Sequence, residues 1–580
     1  MRKLLLASAA LMALPAVAAL TPQSYPNYQV TSISPNGRFA ASQYAGTVIL
    51  MDLESGEEKV FMGNSEGSVV YSLGNGTPIS NDGTMVGYID EASGKVYYCE
   101  NHKWIELKTL AEGMSNTANS ITPDGRFICG GNGLAPISTD DQDTPMSVPV
   151  LWVRGEDGKF GNPIQLPYPE KDLSGRIPQY VTALALSDDG SVILGQIRDY
   201  SGQIIYPIVY TNKDGEWSYS LPAMSLLNPE NVELPEFPGD GPVSPAAESF
   251  LTPEEKAAYD KAMEEWQKKN EETGSIDYTT MPDAEDFLGT ESKAEYEAAK
   301  AEFDKINAEW NEKFIAFYSA FEKILKSGIS FEFNNGAISA DGKTVWQTAR
   351  KIVETGDEFN PFTDNFAPAT IDLATGYIFI RDFEQNASMT YVAGDGTIFA
   401  TKANQMEGLV YTPEANTVQG IPFIQYLERI NPETANWVKQ EMRHDVSGMD
   451  PVTYEPIELK GAICSGYTIC SRDLSVLISR AINYWDNTPV VIYSYVLPGR
   501  IDNSGINLAP AETPSVTISK DGVISINGDV VSLTVSDING RVIYDGRPAS
   551  GTIETGIGSG AYIIRTTGAD GTATVSKVLL

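Results

Sequence analysis

The sequence contains few histidines to support nucleophilic or metal-assisted catalysis. Its 580 residues include two histidines, His102 in the segment CENHKWIEL and His444 in QEMRHDVSGMD. A metal site built on several histidines is therefore excluded, and a Ser-His-Asp triad would have to contain either His102 or His444. Neither histidine lies near a nucleophile-elbow sequence, and the chain has no phosphate-binding glycine-rich loop. We predict an exposed turn at His102, the end of a helix at His444, and no catalytic role for either.

Carboxylates are the abundant reactive groups. Asp and Glu number 77 against 41 Lys and Arg, which gives a formal net charge of −36. That charge argues against nucleic acid and anionic lipid as partners, because both require clustered Lys and Arg. A glycosidase pair needs only two carboxylates at a suitable separation and no local motif, so glycoside hydrolysis stays open as an alternative.

One acidic loop, TDDQD at 139–143, has alternating oxygen ligands of the kind that Ca²⁺ prefers. It lacks the glycine and the terminal glutamate of an EF-hand loop. We therefore expect a solvated loop and no metal or cofactor, with Ca²⁺ at this loop as the alternative.

The four cysteines, Cys99, Cys129, Cys464 and Cys470, are too few for a disulfide framework in a chain of this length. Cys129 and Cys470 stand where other copies of a repeated pattern have core residues. Buried free thiols are therefore expected. A bridge between Cys464 and Cys470 stays open, because the sequence does not establish their geometry.

The elements that must position any site come from a phrase that recurs seven times. This turn phrase consists of an aliphatic residue, Ser or Thr, one or two residues that include Asp or Asn, then Gly and a second apolar run. Pro presets the first corner of a turn, Asp or Asn favours the second, and Gly supplies the left-handed residue that closes a hairpin. Seven hairpins of one design predict seven similar sheets. The copies begin at Ile33, Ile79, Ile121, Leu186, Ile338, Val392 and, in a degenerate form without Gly, Cys470.

Each turn phrase is followed by the same order of short strands, which is clearest in the fourth copy: VTALALS, SVILGQI, YPIVYTN and EWSYSLP. Four short strands joined by glycine-containing hairpins are typical of one blade of a β-propeller. The first copies begin 46 residues (33 to 79) and 42 residues (79 to 121) apart, which suits a blade of about 40 to 50 residues. We predict an all-β fold, a seven-bladed β-propeller over residues 20–500.

A helical insertion interrupts the repeats at about 240–328. The segment TPEEKAAYDKAMEEWQKK opens with a capping box at Thr252 and Glu255 and has apolar residues at helical spacing. A second helix, from about 291 to 326, carries a stripe of aromatic and aliphatic residues that is too long to be left exposed. We predict an antiparallel helical hairpin that buries its own stripe, with a lid or partner-docking arm as the alternative. A shorter helix is predicted after Asn431.

Residues 1–19 have the layout of a secretory signal peptide. Arg2 and Lys3 precede an apolar stretch, and small residues precede the expected cleavage near Ala18 or Ala19. A membrane anchor is the alternative, although the apolar run is short for spanning a bilayer. We expect a secreted or cell-surface protein without membrane insertion.

Several segments resemble known propeller repeats. SISPNGRFAAS and MDLESGEEKVF resemble the repeats of TolB-like propellers, and ALSDDGSVILG with IVYTNKDGEWSYSLP resembles the exported HAF-type repeat. Together these resemblances cover roughly residues 28–497. They imply propeller blades and say little about the ligand.

The C-terminal region has a different pattern. After a linker at 501–510, residues 511–580 alternate between apolar and polar residues around Asp-Gly and Asn-Gly turns, which predicts a small Ig-like β-sandwich. The order of its motifs resembles the C-terminal sorting domain of proteins exported by the type IX secretion system of Bacteroidetes. The resemblance rests on Gly540, Gly560, Tyr562 and Lys577 and the residues around them. It implies an address for the secretion machinery, used after Sec export and periplasmic transit. A plain Ig-like accessory module is the alternative.

Two functions of different classes follow from these observations. We expect a secreted or cell-surface scaffold that binds an extracellular protein or glycan without catalysis. The alternative is an extracellular glycoside hydrolase or lyase with carboxylates in the propeller funnel. Two inward carboxylates about 5 to 10 Å apart in a deep pocket would favour the enzyme. The sequence identifies no ligand-binding residue for either function.

Overall fold

The computed structural model is mostly β, with several antiparallel sheets and few helices. It divides into two compact units, which we call the sheet unit (Met1–Glu170, Ile177–Met224 and Ile329–Leu580) and the helical unit (Lys171–Arg176 and Ser225–Gly328). The structure describes residues 20–44, 47–61, 78–90, 94–100, 103–133, 145–199, 202–239, 241–356, 361–402, 408–413, 418–449, 456–463, 465–482, 492–500, 515–518, 523–527, 530–537, 541–546, 551–554, 561–568 and 573–579.

The first half of the sheet unit forms antiparallel sheets from strands that follow one another along the chain. The sheets are β2 to β5, β6 to β8, β9 to β12 and β13 to β16, and the last two are joined by one parallel pair, Ser147 with Tyr180. The strands are β1 (Gln23–Pro26), β2 (Gln29–Ile33), β3 (Phe39–Tyr44), β4 (Thr47–Asp52), β5 (Glu57–Phe61), β6 (Met85–Asp90), β7 (Lys95–Glu100), β8 (Lys103–Glu106), β9 (Ser115–Ile121), β10 (Phe127–Gly133), β11 (Ser147–Val153), β12 (Ile164–Gln165), β13 (Tyr180–Leu186), β14 (Val192–Arg198), β15 (Ile205–Lys213) and β16 (Glu216–Ser220).

The second half continues the pattern after the helical unit. Its sheets are β17 to β21, β22 to β25 and β28 to β30, and β26 pairs with β27 beside them. The strands are β17 (Ser330–Phe331), β18 (Ala337–Ile338), β19 (Thr344–Glu354), β20 (Phe362–Asp372), β21 (Ile378–Ile380), β22 (Ala387–Val392), β23 (Ile398–Lys402), β24 (Gly408–Tyr411), β25 (Ile421–Pro422), β26 (Arg443–Met449), β27 (Pro456–Ile463), β28 (Tyr467–Cys470), β29 (Val476–Ile482) and β30 (Ile492–Pro498).

The turn phrases form the hairpins that the sequence predicts. In the third copy, the Thr122 hydroxyl donates to Asp124 Oδ1 (2.6 Å) and accepts the Phe127 N–H (3.1 Å). Gly125 donates its N–H to Thr122 O (2.9 Å) at a φ of 70°. Glycine is favoured there because a β carbon is strained in the left-handed region. The glycines of the six regular copies all have φ between 69° and 88°: Gly37, Gly83, Gly125, Gly190, Gly342 and Gly396.

The degenerate seventh copy keeps the same turn without glycine. Leu474 takes the left-handed conformation, with a φ of 63°, and donates its N–H to Ser471 O (3.1 Å). Its side chain is fully buried. A non-glycine residue in this region bears a strain of about 1–2 kcal/mol, so burial of the leucine side chain must offset that cost.

Successive sheets pack against one another through shared apolar clusters. Such clusters join β2–β5 to β6–β8, β6–β8 to β9–β11, β19 to β22–β24, and β23–β24 to β28–β30. Between β14 and β17, the buried Gln196 amide donates to Glu332 O (2.7 Å). A further cluster packs β28–β30 against β2–β4, so the last of these sheets meets the first.

The N-terminal strand completes the last sheet. β1 pairs antiparallel with β30, from Gln23 opposite Val496 to Pro26 opposite Tyr493, before the chain enters β2 of the first sheet. The Arg472 N–H of the seventh turn also donates to Pro35 O of the first turn (2.9 Å). Backbone hydrogen bonds therefore join the two ends of the series of sheets.

Five α-helices lie within the described residues. Two long helices, α2 and α3, lie close to the predicted bounds, and α5 follows the Asn431 cap that the sequence predicts, since Asn431 Oδ1 accepts the Thr434 N–H (3.1 Å). Of the helices in the described residues, none is both long enough and apolar enough to cross a membrane. They are α1 (Met224–Leu227), α2 (Pro253–Thr273), α3 (Thr290–Ser327), α4 (Phe423–Ile430) and α5 (Pro432–Glu441), with 3₁₀ turns at Ala247–Phe250, Tyr278–Thr280, Ala284–Phe287 and Phe383–Gln385.

The prediction of an antiparallel helical hairpin is wrong in its geometry. Glu255, in the first turn of α2, accepts hydrogen bonds from the Thr252 N–H (2.8 Å), the Gly289 N–H (2.7 Å) and the Ser292 hydroxyl (2.7 Å). Gly289 and Ser292 lie at the start of α3, so the N-terminal ends of both helices meet at one carboxylate. In an antiparallel hairpin, the end of α2 would lie beside the start of α3 instead. A carboxylate satisfies the unpaired N–H groups at both helix starts, which explains the arrangement.

The predicted stripe of α3 is only partly buried. Phe317 and Phe321 are buried, whereas Ile306 is 46 % exposed. The segment between the helices returns along α2, where Trp266 Nε1 donates to Asp277 O (3.0 Å). That segment takes the place beside α2 that the prediction gave to α3.

The C-terminal region forms two further antiparallel sheets. The strand orders are β31-β32-β35 and β34-β33-β36-β37. Leu533, Val535 and Ile564 of the larger sheet are buried. The strands are β31 (Ser515–Ile518), β32 (Val523–Asn527), β33 (Val530–Asp537), β34 (Val542–Gly546), β35 (Gly551–Glu554), β36 (Ala561–Gly568) and β37 (Ala573–Leu579).

Candidate functional site

A cavity of about 380 Å³ lies in the sheet unit where the strands that precede the turn phrases come together. β2, β9, β13, β22 and β28 all contribute lining residues, as do Pro78 and Ile79 and the segment 334–340. Each of the seven turn phrases therefore has residues at this cavity. Its volume lies within the range of about 300–1,000 Å³ that is common for ligand pockets.

One zone of the wall is apolar and repeats from sheet to sheet. It is formed by the first residue of the turn phrase in six copies, and by Ile469 in the seventh. We call this zone the apolar collar. The first residue of a turn phrase therefore lines the cavity as well as forming part of the strand. Its members are Ile33, Ile79, Ile121, Leu186, Ile338, Val392 and Ile469.

A second zone is set by a β-bulge that recurs in four of the described strands at the cavity. In β2, β9, β13 and β22 the pairing register skips one residue, and in each strand that residue lies three positions before the Ser, Thr or Ala of the turn. A bulge bends its strand and redirects a side chain, and bulges are common beside functional sites. All four skipped residues line the cavity, and we call them the bulge residues: Thr31, Asn119, Leu184 and Thr390.

The polar bulge residues present hydrogen-bonding groups to the cavity. Asn119 lines the cavity and uses its amide nitrogen to donate to Ala183 O (2.7 Å) and Thr182 Oγ1 (3.2 Å), which leaves its carbonyl oxygen as an acceptor. Thr390 donates to Thr468 O (3.1 Å), which leaves its oxygen as an acceptor. The hydroxyls of Thr31 and Ser32 are buried and have no hydrogen-bond partner within the described part of the chain. Such a group costs about 1–3 kcal/mol, and because neither oxygen has accessible surface, a ligand in the cavity does not reach it.

Arg472 is the one charged side chain among the described residues that line the cavity. Its Nη1 forms an ion pair with Asp188 Oδ2, which joins the seventh turn phrase to the fourth. The backbone fixes both residues, because the Gly394 N–H donates to Arg472 O (2.8 Å) and the Asp188 N–H donates to Ala340 O (3.0 Å). The charge of Arg472 is thus balanced within the protein.

The aspartate at the fourth position of a turn phrase is used by the turn itself. In the fourth copy, Asp189 Oδ1 accepts the Ser191 N–H (2.9 Å) and the Ser187 hydroxyl (2.8 Å). Hydrogen bonds from the Ser191 backbone and side chain hold the pKa of Asp189 below its usual range. Beside Lys343, which donates to its carboxylate, the pKa of Asp341 falls to about 2. Carboxylates held ionised in this way are suited to fixing turns, not to proton transfer.

Glu332 is the carboxylate nearest in the chain to the cavity residues Asn334 and Asn335. Burial raises its pKa, although hydrogen bonds with Ser388 and Thr348 act in the opposite direction. Its Oε2 is buried without a hydrogen-bond partner among the described residues. No Asp or Glu belongs to the described cavity wall, so the pair required for glycoside hydrolysis is not found there.

The structure describes two of the four predicted sorting residues. Tyr562 lies in β36 opposite Val578 and is 9 % exposed, and Lys577 lies in β37 opposite Ile563. These two positions are therefore on adjacent strands of one sheet. Gly540 and Gly560 lie outside the described residues.

The histidine predictions have different outcomes. The helix end predicted at His444 is wrong, because α5 ends at Glu441 and His444 lies in β26 opposite Ala462. The strand forms because residues 443–449 pair with β27 once the helix has ended. His102 and the acidic loop at 139–143 lie outside the described residues. Within the described ranges, no group of three or more His, Cys, Asp or Glu side chains could hold a metal ion.

The prediction of buried free thiols is confirmed for three cysteines. Cys99, Cys129 and Cys470 are buried and free, so Cys470 forms no bridge, and Cys464 lies outside the described residues. Burial raises the pKa of Cys99 to about 12 and raises that of Cys470 well above its usual value. These thiols remain protonated at neutral pH and act as core side chains.

The residues of the cavity were not identified from the sequence. One weak sequence pattern marks the bulge residues. Three of them, Thr31, Asn119 and Thr390, are polar residues that lie three positions before the turn. The other lining residues belong to strands whose pattern is explained by packing alone.

Comparison with protein-family models finds no match, and comparison with curated proteins finds none either. Among solved structures, the chain is similar to a prolyl endopeptidase, at 11 % identity and a TM-score of 0.37 over 95 % of this chain and 55 % of the other. It thus spans about half the length of that enzyme. An oligogalacturonate lyase from Vibrio parahaemolyticus matches at 8 % identity and a TM-score of 0.37, over 83 % of this chain and 92 % of the other. A fungal alcohol oxidase in complex with copper matches at 10 % identity and a TM-score of 0.30, over 97 % and 96 %.

Proposed function

We propose that this chain is a seven-bladed β-propeller that binds an extracellular protein or glycan at its central cavity without catalysis. The series of packed sheets supports the propeller, because the last sheet contacts the first and β1 completes the last sheet. Joining the ends of the chain in one sheet closes the series, so that the first and last sheets pack against each other and only short strand edges remain.

The observation that carries binding is the polar zone of the cavity wall. Asn119 and Thr390 line the cavity and are only half-buried. Each has a defined hydrogen bond to a backbone carbonyl behind it, Ala183 O for Asn119 and Thr468 O for Thr390. Groups held in this way bind a polar ligand with little loss of side-chain entropy.

A stability and binding experiment tests this function on the full chain. Thr31→Val should raise the free energy of unfolding by about 1 kcal/mol, because it removes an unpaired buried hydroxyl, whereas Thr390→Val should weaken binding on arrays of polysaccharides and peptides, because Thr390 is half-buried and lines the cavity. The control is Thr348→Val. The Thr348 hydroxyl donates to Asn335 Oδ1 (3.0 Å) and accepts the Met389 N–H (2.9 Å), so its loss should destabilise the protein.

The binding function would be overturned by turnover of a polymer that a single carboxylate substitution abolishes. Glu332→Gln is the substitution to try first, because the pKa of Glu332 is raised by burial and a raised pKa suits a general acid. That result would establish the hydrolase or lyase alternative. Binding that Thr390→Val leaves unchanged would place the site elsewhere on the chain.

The proposal includes export and sorting. Residues 1–19 would direct Sec export, and residues 511–580 would direct the protein to the cell surface through type IX secretion, with Gly540, Gly560, Tyr562 and Lys577 among the recognised residues. A chain that lacks 511–580 should then accumulate in the periplasm of a host with this system, and should still bind the ligand. Arrival of the truncated chain at the surface would contradict the sorting role.

A further inference from the structure

The charge of the cavity restricts the class of ligand. Arg472 supplies the one charged side chain of the described wall, and Asp188 already neutralises it. An acidic ligand would bring a second negative charge to a cation that has its counter-ion, in a partly buried site where unpaired charge is costly. The formal charge of −36 on the whole chain adds long-range repulsion. An uncharged ligand avoids both costs.

The two zones of the wall match the surface of a sugar ring. The apolar collar offers Ile33, Ile121 and Ile338, and the bulge residues Asn119 and Thr390 offer an amide and a hydroxyl group. A pyranose has an apolar C–H face and a rim of hydroxyl groups, each of which both donates and accepts. Apolar contact with the face and hydrogen bonds to the rim satisfy both zones.

The size of the cavity favours the end of a chain over a protein surface. A volume of about 380 Å³ lies near the lower end of the range for ligand pockets, and a folded partner does not enter such a space. A glycan end is narrow, and the half-buried Asn119 and Thr390 side chains line the cavity as hydrogen-bonding partners for its hydroxyl groups.

We propose that the cavity binds the end of an uncharged glycan, and that the Arg472–Asp188 ion pair discriminates against acidic sugars. This inference rests on the proposed binding function and names its ligand class. Asp188 acts as the internal counter-ion that makes the cavity neutral, and the bulge residues bind the hydroxyl groups of the sugar.

Matched pairs of oligosaccharides test the inference. The full chain is titrated by calorimetry with tetrasaccharides of glucose, mannose and galactose, and with the corresponding tetrasaccharides of glucuronate, mannuronate and galacturonate. We expect at least one neutral tetrasaccharide to bind at least tenfold more tightly than its acidic counterpart, which is about 1.4 kcal/mol. Asn119→Leu should weaken the neutral interaction at least tenfold, because the site loses its amide.

Asp188→Asn is the diagnostic variant. It leaves Arg472 without a counter-ion, so the ratio of neutral to acidic affinity should fall about tenfold in favour of the acidic sugar. Asp341→Asn is the matched control, because Asp341 forms an exposed ion pair with Lys343 (2.9 Å) and does not line the cavity. It removes the same charge from an equivalent turn and should leave the ratio unchanged. Thermal unfolding of both variants verifies that they are folded.

The outcomes separate this inference from the function on which it rests. Acidic tetrasaccharides that bind as tightly as neutral ones overturn the inference and leave the binding function in place. A peptide ligand whose binding Thr390→Val weakens, together with no glycan binding, also overturns the inference alone. Absence of any ligand on the polysaccharide and peptide arrays overturns the binding function itself. A ratio that falls equally in Asp188→Asn and Asp341→Asn refutes the role of the ion pair.

Discussion

Replacing Leu474 by glycine should destabilise the protein less than replacing it by alanine. Leu474 has a φ of 63°, and its side chain is fully buried in a cluster with Leu477 and Leu497. Removing such a side chain costs about 3–5 kcal/mol. Alanine keeps a β carbon in the left-handed region, so the strain of about 1–2 kcal/mol that the leucine bears remains.

Glycine loses the same side chain and relieves that strain. Its greater freedom in the unfolded chain costs about 0.5–1 kcal/mol relative to alanine, which makes glycine the worse substitute at an ordinary position. At residue 474 the relief of strain exceeds this cost. We therefore expect Leu474→Gly to be destabilised by about 2–4 kcal/mol, and to be more stable than Leu474→Ala by about 0.5–1 kcal/mol.

Leu477 provides the matched control. It is fully buried in the same cluster and lies in the regular strand β29. There, Leu477→Gly should be less stable than Leu477→Ala, in the usual order. Urea unfolding followed by intrinsic fluorescence gives the four free energies of unfolding. If both positions show the usual order, the argument that the seventh turn stores left-handed strain is refuted.

Three further predictions concern other parts of the chain. Deleting residues 23–26 removes four register pairs with β30. The deletion should lower the free energy of unfolding by about 4 kcal/mol, at about 1 kcal/mol per backbone hydrogen bond. An unchanged urea midpoint would show that β1 does not close the series of sheets. Burial raises the pKa of Glu332, so its stabilising contribution is present below the ordinary pKa of 4.5 and is lost as the pH rises through the pKa of the folded state. Glu332→Gln should therefore raise the thermal midpoint at pH 7, and should raise it less at pH 4. An equal rise at both pH values would exclude the charge of Glu332 as the cause. Hydrogen bonds from Ser292 and from the Thr252 and Gly289 backbones lower the pKa of Glu255 to about 2. The stabilising contribution of Glu255 is therefore present above the usual pKa of a glutamate and is lost as the pH falls toward 2. Glu255→Gln should speed proteolysis of residues 225–328 at pH 7, whereas Glu254→Gln on the same helix turn should not.

Local turn chemistry made the hairpins predictable from the sequence. The interactions that define each turn lie within five residues, as in Thr122, Asp124 and Gly125, where a hydroxyl, a carboxylate and a left-handed glycine form one hydrogen-bonded turn. The four strands of the fourth copy follow from the same logic, because antiparallel neighbours are adjacent in the chain. The capping box at Thr252 was also visible, since both of its partners lie within three residues.

The orientation of the long helices depends on contacts between distant residues. The start and composition of α2 and α3 are local properties, and the sequence predicted both. Their relative direction depends on Glu255 reaching Gly289 and Ser292 across more than thirty residues. An amphipathic stripe specifies that a helix needs a partner but not which segment supplies it. The segment after α2 packs back along it through Trp266 and Asp277, which the pattern of α3 does not reveal.

The cavity depends on the register between strands, and this is why the sequence of one strand does not predict it. In a regular strand Thr31 would pair with a residue of β3, but the skipped register at that point leaves it for the cavity. The same bulge occurs at Asn119, Leu184 and Thr390, always three residues before the turn. The collar position is aliphatic in copy after copy, whereas the bulge position changes from Thr to Asn to Leu. A repeated backbone therefore carries a wall whose polar groups differ around its circumference. That asymmetry allows a cavity built from similar sheets to bind one orientation of an asymmetric ligand, because only one placement pairs every hydroxyl and amide that the bulges present.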